Sequence, residues 1–274
     1  MDATKPLVSV IMSVYNGEEW LDEAIQSIIR QTYTNWEFII IDDASNEATQ
    51  QILNKYKPDP RFRISHREIR NGYTINLNIA IGMCQGEFVA RMDGDDISQP
   101  TRFQKQVAFL QRNPKTDLVA GFIDKIDANG NPKGIWKDDR KRISNNQIRS
   151  LLPWRNCIAH PTVMFRKELF KEFKYNELQV HSDDWDLWLQ LADHGKVFGK
   201  IPELMLLYRV HDKSTTSLSN KGFAFRKIQQ AYKWYLQSVK KDRRFTPFNR
   251  KVWLAFHFNS VKLFLSMIKR IFTS

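Results

Sequence analysis

The chain has little cysteine. Cys84 and Cys157 are its only two among 274 residues, which excludes a disulfide framework and fits a reducing compartment. It has no cationic lead followed by an apolar signal core, since the early apolar run Leu7–Val14 is too short. No uninterrupted apolar stretch approaches the roughly 20 residues that span a bilayer. Internal repeats and recognised nucleic-acid motifs are also missing, so no nucleic-acid partner is expected. Acid is scarce in one place: residues 221–274 hold 13 Lys and Arg against a single acid, Asp242. The formal net charge of +12 therefore belongs to that segment, and residues 1–220 are neutral. Charged and hydrophobic fractions of 26% and 42% are those of a folded body, long enough to bury a sizeable core. A neutral body with a basic tail predicts a catalytic unit carrying an electrostatic docking element.

What is present begins with alternating signals. Val8–Val14 reads as a strand closed by the turn Tyr15-Asn16-Gly17, and Leu21, Ile25, Ile28 and Ile29 then recur at helical spacing. Trp36–Ile41 is a second buried strand ending in Asp42-Asp43. A helix near Thr49–Tyr56, a strand at Phe62–His66 and a helix at Thr74–Met83 lead into the apolar run Phe88–Met92. Pro100-Thr101 opens a helix ending near Asn113-Pro114, and Leu118–Ile123 is another strand. This alternation predicts an α/β fold with a mainly parallel, Rossmann-like sheet flanked by helices. Beyond it, Asn129-Gly130 suggests a hairpin, and His160-Pro161-Thr162 a turn before the strand Val163–Arg166. A helix is expected over Asp184–Ala192, then two strands, Val197–Ile201 and Leu204–Val210, and a basic helical tail from about Phe223.

The strongest feature is Asp93-Gly94-Asp95-Asp96, directly after an apolar strand. Open α/β sheets bind ligands at that end of their strands. Three carboxylates within four residues repel one another unless a cation sits between them, and a divalent ion carrying a phosphorylated substrate meets that need. The alternative is a solvated Asp-Gly turn. Asp42-Asp43 and Asp183-Asp184 are further acidic pairs near strand ends or at a helix start. Each has its own alternative, in helix capping or in the helix dipole.

Val8–Gly17, Gln31-Thr32-Tyr33 and Trp36–Asp43 together resemble the opening of glycosyltransferase family 2. Asn71-Gly72, Asn78, Gly86–Asp96 and Pro100-Thr101-Arg102-Phe103 continue the resemblance in the family's order and spacing, and Ser182–Leu189 is similar to its later acidic motif, where Glu-Asp is commoner than Asp-Asp. The resemblance covers roughly residues 6–215. It implies a GT-A fold, with 1–125 as a nucleotide-sugar-binding half, 126–220 as an acceptor-binding half and 221–274 as a tail outside it. By the same resemblance Tyr15, Asp42, Asp43 and Arg70 contact base and ribose. Asp93 and Asp95 form the D-x-D motif, Asp95 being the direct ligand of Mn²⁺ or Mg²⁺, and Asp96 faces the sugar or supports the metal. Asp184 is the general base with Asp183 beside it. His211 matches a position that in some relatives reaches the metal or diphosphate; an ordinary loop histidine is the alternative.

The chemistry agrees with this assignment. Departing phosphates need neutralising, the incoming hydroxyl must lose a proton, and one in-line displacement with a single base inverts the anomeric centre. The donor implied is a nucleotide-diphosphate sugar, UDP being favoured by the resemblance alone. Drawn as a helix, residues 250–272 put Lys251, Asn259, Lys262, Ser266 and Lys269 on one narrow face opposite a wide apolar arc, and Lys240-Lys241-Asp242-Arg243-Arg244 precedes it. That pattern predicts a helix in the interface of an anionic membrane, on the inner face of the cell membrane, and with it a lipid-linked saccharide acceptor. Packing on the body or on a partner is the alternative. Two rival readings are a phosphotransferase of haloacid-dehalogenase type and a catalytically idle relative; the former uses its first sheet strand for D-x-D, whereas Asp93 follows the fourth.

Overall fold

The computed structural model describes residues 5–179, 182–212, 224–241 and 246–273, with side chains of the last two helices described at 229–241 and 246–261. In chain order the elements are β1 (Val8–Val14), α1 (Leu21–Ile29), β2 (Trp36–Asp42), α2 (Glu47–Asn54), β3 (Phe62–His66), α3 (Tyr73–Met83) and β4 (Phe88–Arg91). There follow β5 (Ile97–Ser98), α4 (Arg102–Arg112), β6 (Leu118–Ile126), β7 (Pro132–Ile135), α5 (Lys137–Arg140), α6 (Asn145–Leu151), β8 (Met164–Arg166), α7 (Asp183–Asp193) and β9 (Phe198–Arg209). Two helices complete the chain, α8 (Ala224–Lys241) and α9 (Pro247–Thr273).

The strands form one sheet in the order β3-β2-β1-β4-β8-β6-β9-β5, with β7 pairing off β6. The first four are mutually parallel, which aligns the carboxyl ends of β2, β1 and β4 along one rim. From β8 onward pairing is mixed, because β8 runs antiparallel to both β4 and β6 while β9 runs parallel to β6.

Side-chain alternation explains the layers. Along β1, Val8, Val10, Met12 and Val14 enter one core with Leu21 and Ile25 of α1 and Phe103 of α4, while Ile11 enters the opposite core with Leu77 of α3 and Trp188 of α7. Helices on both faces cover β1 and β2, so these strands read as nearly continuous apolar runs.

The region expected as two strands, Val197–Ile201 and Leu204–Val210, is one bent strand, β9. Its register against β6 jumps from Ala120↔Lys200 to Phe122↔Leu204, so the extra residues around Pro202 bulge out, where proline has no N–H to contribute. Gly121 makes the close approach possible, since a Cβ there would lie 2.1 Å from the Met205 side chain.

The tail packs on the body. Helices α8 and α9 contact each other and α7, and Tyr232, Tyr235, Phe248, Val252 and Ala255 are core residues. Val252, which falls on the wide apolar arc expected for residues 250–272, is therefore buried against the body. Trp253, Leu254, Phe258 and Val261 of the same helix stay exposed at 51–57%. The side chains of residues 262–273, including Lys262, Ser266 and Lys269, and residues 242–245 with Arg243 and Arg244, lie outside the described residues, as does the expected boundary at 220. Among the described residues no helix is long and apolar enough to cross a membrane.

Candidate active site

Bends follow the ends of β1 and β2, and another precedes α7. Asn16 after β1, Ala44 after β2 and Ser182 before α7 all hold positive φ, at 49°, 60° and 57°. Non-glycine residues adopt that region at a cost, and such strain gathers where side chains must be aimed.

At the β1–β2 end, Tyr15 is 44% exposed and the Arg70 guanidinium lies 3.6 Å from its ring centroid. Arg70 Nε stands 3.8 Å from Asp43 Oδ2. Asp43 accepts N–H bonds from Asn71 at 2.8 Å and Gly72 at 3.2 Å, fixing the loop that carries Arg70. Asp42 is fully buried, accepting from Ser45 N at 3.1 Å and pairing with His66 Nδ1 at 2.9 Å. Tyr15 and Arg70 are thus the open groups of this corner. Asp43 and Asp42 brace it from beneath, and Asp42 in this arrangement presents no free face to a base or ribose.

The end of β4 delivers the acidic cluster. Carboxylate oxygens of Asp93, Asp95 and Asp96 lie within 4.8 Å of one another. Asp95 Oδ2 accepts from His211 Nε2 at 2.9 Å, which brings the residue after Val210 against the Asp93–Asp96 turn. Asp96 is fully buried; Oδ1 accepts from Arg209 N at 2.9 Å, whereas Oδ2 is buried and without a partner among the described residues. Burial, then the neighbouring Asp95 and Asp93, push the Asp96 carboxyl well above its usual range. An orphaned carboxylate oxygen among hard oxygen donors, with one imidazole at hand, fits Mn²⁺ or Mg²⁺.

Several residues here escaped the sequence reading. Arg91 is buried and ion-paired with Asp93, and it also donates to the Tyr73 hydroxyl. A cation inside an apolar run two residues before D-x-D was the available signal. Arg209 ties β9 to the cluster through Asp95 O at 2.9 Å, Ala128 O at 3.0 Å and the Glu23 carboxylate. Trp20 donates to Ala128 O at 3.1 Å and packs its ring 4.1 Å from that of His211.

The third group comes from α7. Asp183 and Asp184 open this helix, both partly exposed. Burial, then the Asp184 charge, pushes Asp183 up to about 7, while Arg91 opposes the shift and Asp93 adds to it. Asp184 is raised by burial and partly restored by hydrogen bonds from Trp185 N and from Asn156. Burial likewise lifts Asp93 to about 6 against the pull of Arg91. Arg91 pairs with Asp93 and lowers the carboxyls of all three residues, which links the start of α7 electrostatically to the end of β4. His160 lies behind them, bonded to Tyr175 Oη at 2.6 Å and kept neutral by burial, in the turn expected for His160-Pro161-Thr162. Trp185 and Trp188 are core residues, while Trp154 is 44% exposed.

This fold, with acidic side chains along the rim of its parallel strands, defines a GT-A-type transferase. Two solved structures share the fold: Staphylococcus aureus TarS residues 1–349 in complex with UDP, at TM-score 0.64, 20% identity, 82% of this chain and 64% of that one, and the mannosyltransferase PcManGT from Pyrobaculum calidifontis in complex with GDP-Man and Mn²⁺, at TM-score 0.66, 17% identity, 96% of this chain and 76% of that one. The family model for glycosyl transferase family 2 matches residues 9–174. The chain belongs to that family and is a glycosyltransferase. Among its relatives, the O-antigen biosynthesis glycosyltransferase WbnJ of Escherichia coli is 34% identical over 213 residues, 76% of this chain and 82% of that protein.

Proposed function

We propose that the protein is an inverting, metal-dependent glycosyltransferase. It moves a sugar from a UDP-sugar to a lipid-linked saccharide in the synthesis of a surface polysaccharide such as O-antigen, capsule or lipooligosaccharide. The observation that carries the reading is the cluster of Asp93, Asp95 and Asp96 at the end of β4, met by His211 at Asp95 and by Arg91 at Asp93, with the charges of Arg91 and Asp93 felt by Asp183 at the start of α7. Residues 1–125 hold the donor: Tyr15 and Arg70 cover the base, with Asp43 and Asp42 bracing the ribose side. Asp95 and Asp93 hold Mn²⁺ or Mg²⁺ with His211, and Asp96 supports them. A divalent ion bound there supplies a Lewis acid and template for the diphosphate. Residues 126–220 hold the acceptor, whose hydroxyl gives its proton to Asp184, with Asp183 beside it.

Both the UDP in the TarS complex and the O-antigen role of WbnJ support the donor and pathway class. Support for the inner face of the cell membrane as the location comes from the basic tail and the exposed face of α9. The test is nucleotide release from a panel of UDP-, GDP- and dTDP-sugars, with Mn²⁺ or with chelator. One donor should give a metal-dependent signal that Asp95→Ala abolishes. A signal indifferent to chelator and to Asp95→Ala would refute the metal assignment, and absence of both turnover and nucleotide binding would refute the enzyme.

A further inference from the structure

Two adjacent carboxylates that share one partly buried place cannot both ionise cheaply near neutral pH. The cation facing them, Arg91, is already paired with Asp93. Burial raises both carboxyls and the Asp184 charge adds to the rise at Asp183, so whatever favours one charged form biases which member ionises first. Hydrogen bonds donated to the charged form decide such contests.

The donors are unevenly shared. Asp184 Oδ2 accepts from Asn156 Nδ2 at 2.7 Å and Oδ1 accepts from Trp185 N at 2.7 Å. Asp183 Oδ2 is sealed from solvent with no partner among the described residues. The orientation of the Asn156 amide is itself fixed, because its Oδ1 accepts from Ile158 N at 3.0 Å. That bond leaves only the NH₂ group for Asp184, so a flip would lose both interactions. The other charged and titratable groups around the pair are Arg91 and Asp93 at the end of β4, Tyr73 of α3, and Tyr175 in the segment before α7. Both phenols are held protonated by burial, so neither competes for the charge.

We infer that Asn156 is the positioning residue that makes Asp184, and not its neighbour Asp183, the proton acceptor. It does so by holding one carboxylate rotamer with a donor that Asp183 lacks. In the reaction the acceptor O–H bond breaks as the new glycosidic bond forms, the proton passes to Asp184, and the nucleotide diphosphate leaves with the electron pair of the old bond. The inference rests on the reading of this site as the base of a glycosyl transfer.

The experiment compares Asn156→Ala and Asn156→Ser with Asp184→Asn and Asp183→Asn in the full chain with Mn²⁺. The donor is the one selected by the nucleotide-release panel. Asn156→Ala should lower kcat about 10- to 100-fold and move the acidic limb of the kcat–pH profile up by about one pH unit, with donor KM unchanged. Asn156→Ser keeps a donor and should recover part of both effects. Loss of activity with an unshifted limb, or no loss, overturns the inference while Asp184→Asn remains inactive. Activity in Asp184→Asn with none in Asp183→Asn instead overturns the base assignment itself. A measurement without turnover is also available: with ¹³Cγ-labelled aspartate, assigned by the two Asp→Asn variants, Asp184 should ionise before Asp183 on raising pH. Asn156→Ala should narrow or invert that order, and an order unchanged by the variant rules the inference out.

Discussion

Arg91 shows how one side chain can organise a site. It is almost fully enclosed, its guanidinium joining Asp93 and Tyr73 while its backbone carbonyl accepts from the buried Arg102 at 2.8 Å. Removing a cation from such a network leaves its anion stranded, which costs more than the pair itself contributes. Arg91→Met should therefore destabilise the metal-free protein by about 2–4 kcal/mol, somewhat less than for a fully buried pair because Asp93 keeps 23% of its side-chain exposure. In urea unfolding, the double variant Arg91→Met, Asp93→Asn should recover part of that loss; strict additivity would show that the two residues are not coupled. Arg91 was hidden in the sequence because one cation in an apolar run reads as noise. The acidic tetrad was legible because its charge density has few structural explanations. Asn156 had no periodic or compositional signal at all, since its role depends on a contact with Asp184 28 positions away.

At the scale of elements, the parallel half of the sheet was legible because β1, β2 and β4 are buried on both faces, and periodicity reports burial directly. The bent strand β9 was not. Pro202 reads locally as a break, yet pairing with β6 carries the strand across it through a bulge. Helix α6 also passed unnoticed, although Ser144 and Gln147 form a capping box at its start. Helix α7 carries a cost that its sequence did not reveal. Asp186, in its first turn, is buried, and burial pushes its carboxyl up to about 7, opposed by a bond from Gln190. A carboxyl raised in the folded state contributes stability that is complete below about pH 4, and it is lost as pH rises through about 7. Asp183 acts in the same direction. Asp186→Asn should remove its own contribution from among these raised carboxyls, so the variant should gain on wild type between pH 4 and pH 8 by at most about 4 kcal/mol. Thermal unfolding in chelator at both pH values measures the difference, and parallel stability curves would rule this account out.

At the scale of the molecule, the chain separates its charge from its chemistry. The body is neutral, the tail carries the full +12, and the tail helices are docked on α7, the helix that opens with Asp183-Asp184. The outward face of α9 presents Trp253, Leu254, Phe258 and Val261 beside exposed Arg250 and Lys251. Trp154 extends that face, its ring centroid 6.2 Å from that of Phe258, and it lies two residues from Asn156. An apolar face with aromatics and a cationic edge suits the headgroup boundary of an anionic bilayer, where each nearby Lys or Arg adds about 1 kcal/mol. A surface bound there would lie two residues in sequence from Asn156, which donates to Asp184, the carboxylate proposed as the base. Vesicles containing phosphatidylglycerol should therefore pull the protein down in flotation, whereas phosphatidylcholine vesicles should do so weakly. The double substitution Trp253→Ser, Phe258→Ser should abolish binding and leave nucleotide release in solution unchanged, because neither side chain belongs to the core that holds α9 on α7. Equal binding to both vesicle types would remove the electrostatic part of this argument, and undiminished binding by the double variant would remove the surface itself. Should wild type instead self-associate in solution and the variant fail to, the face would be an interface between protein copies, and acceptor delivery would need another route.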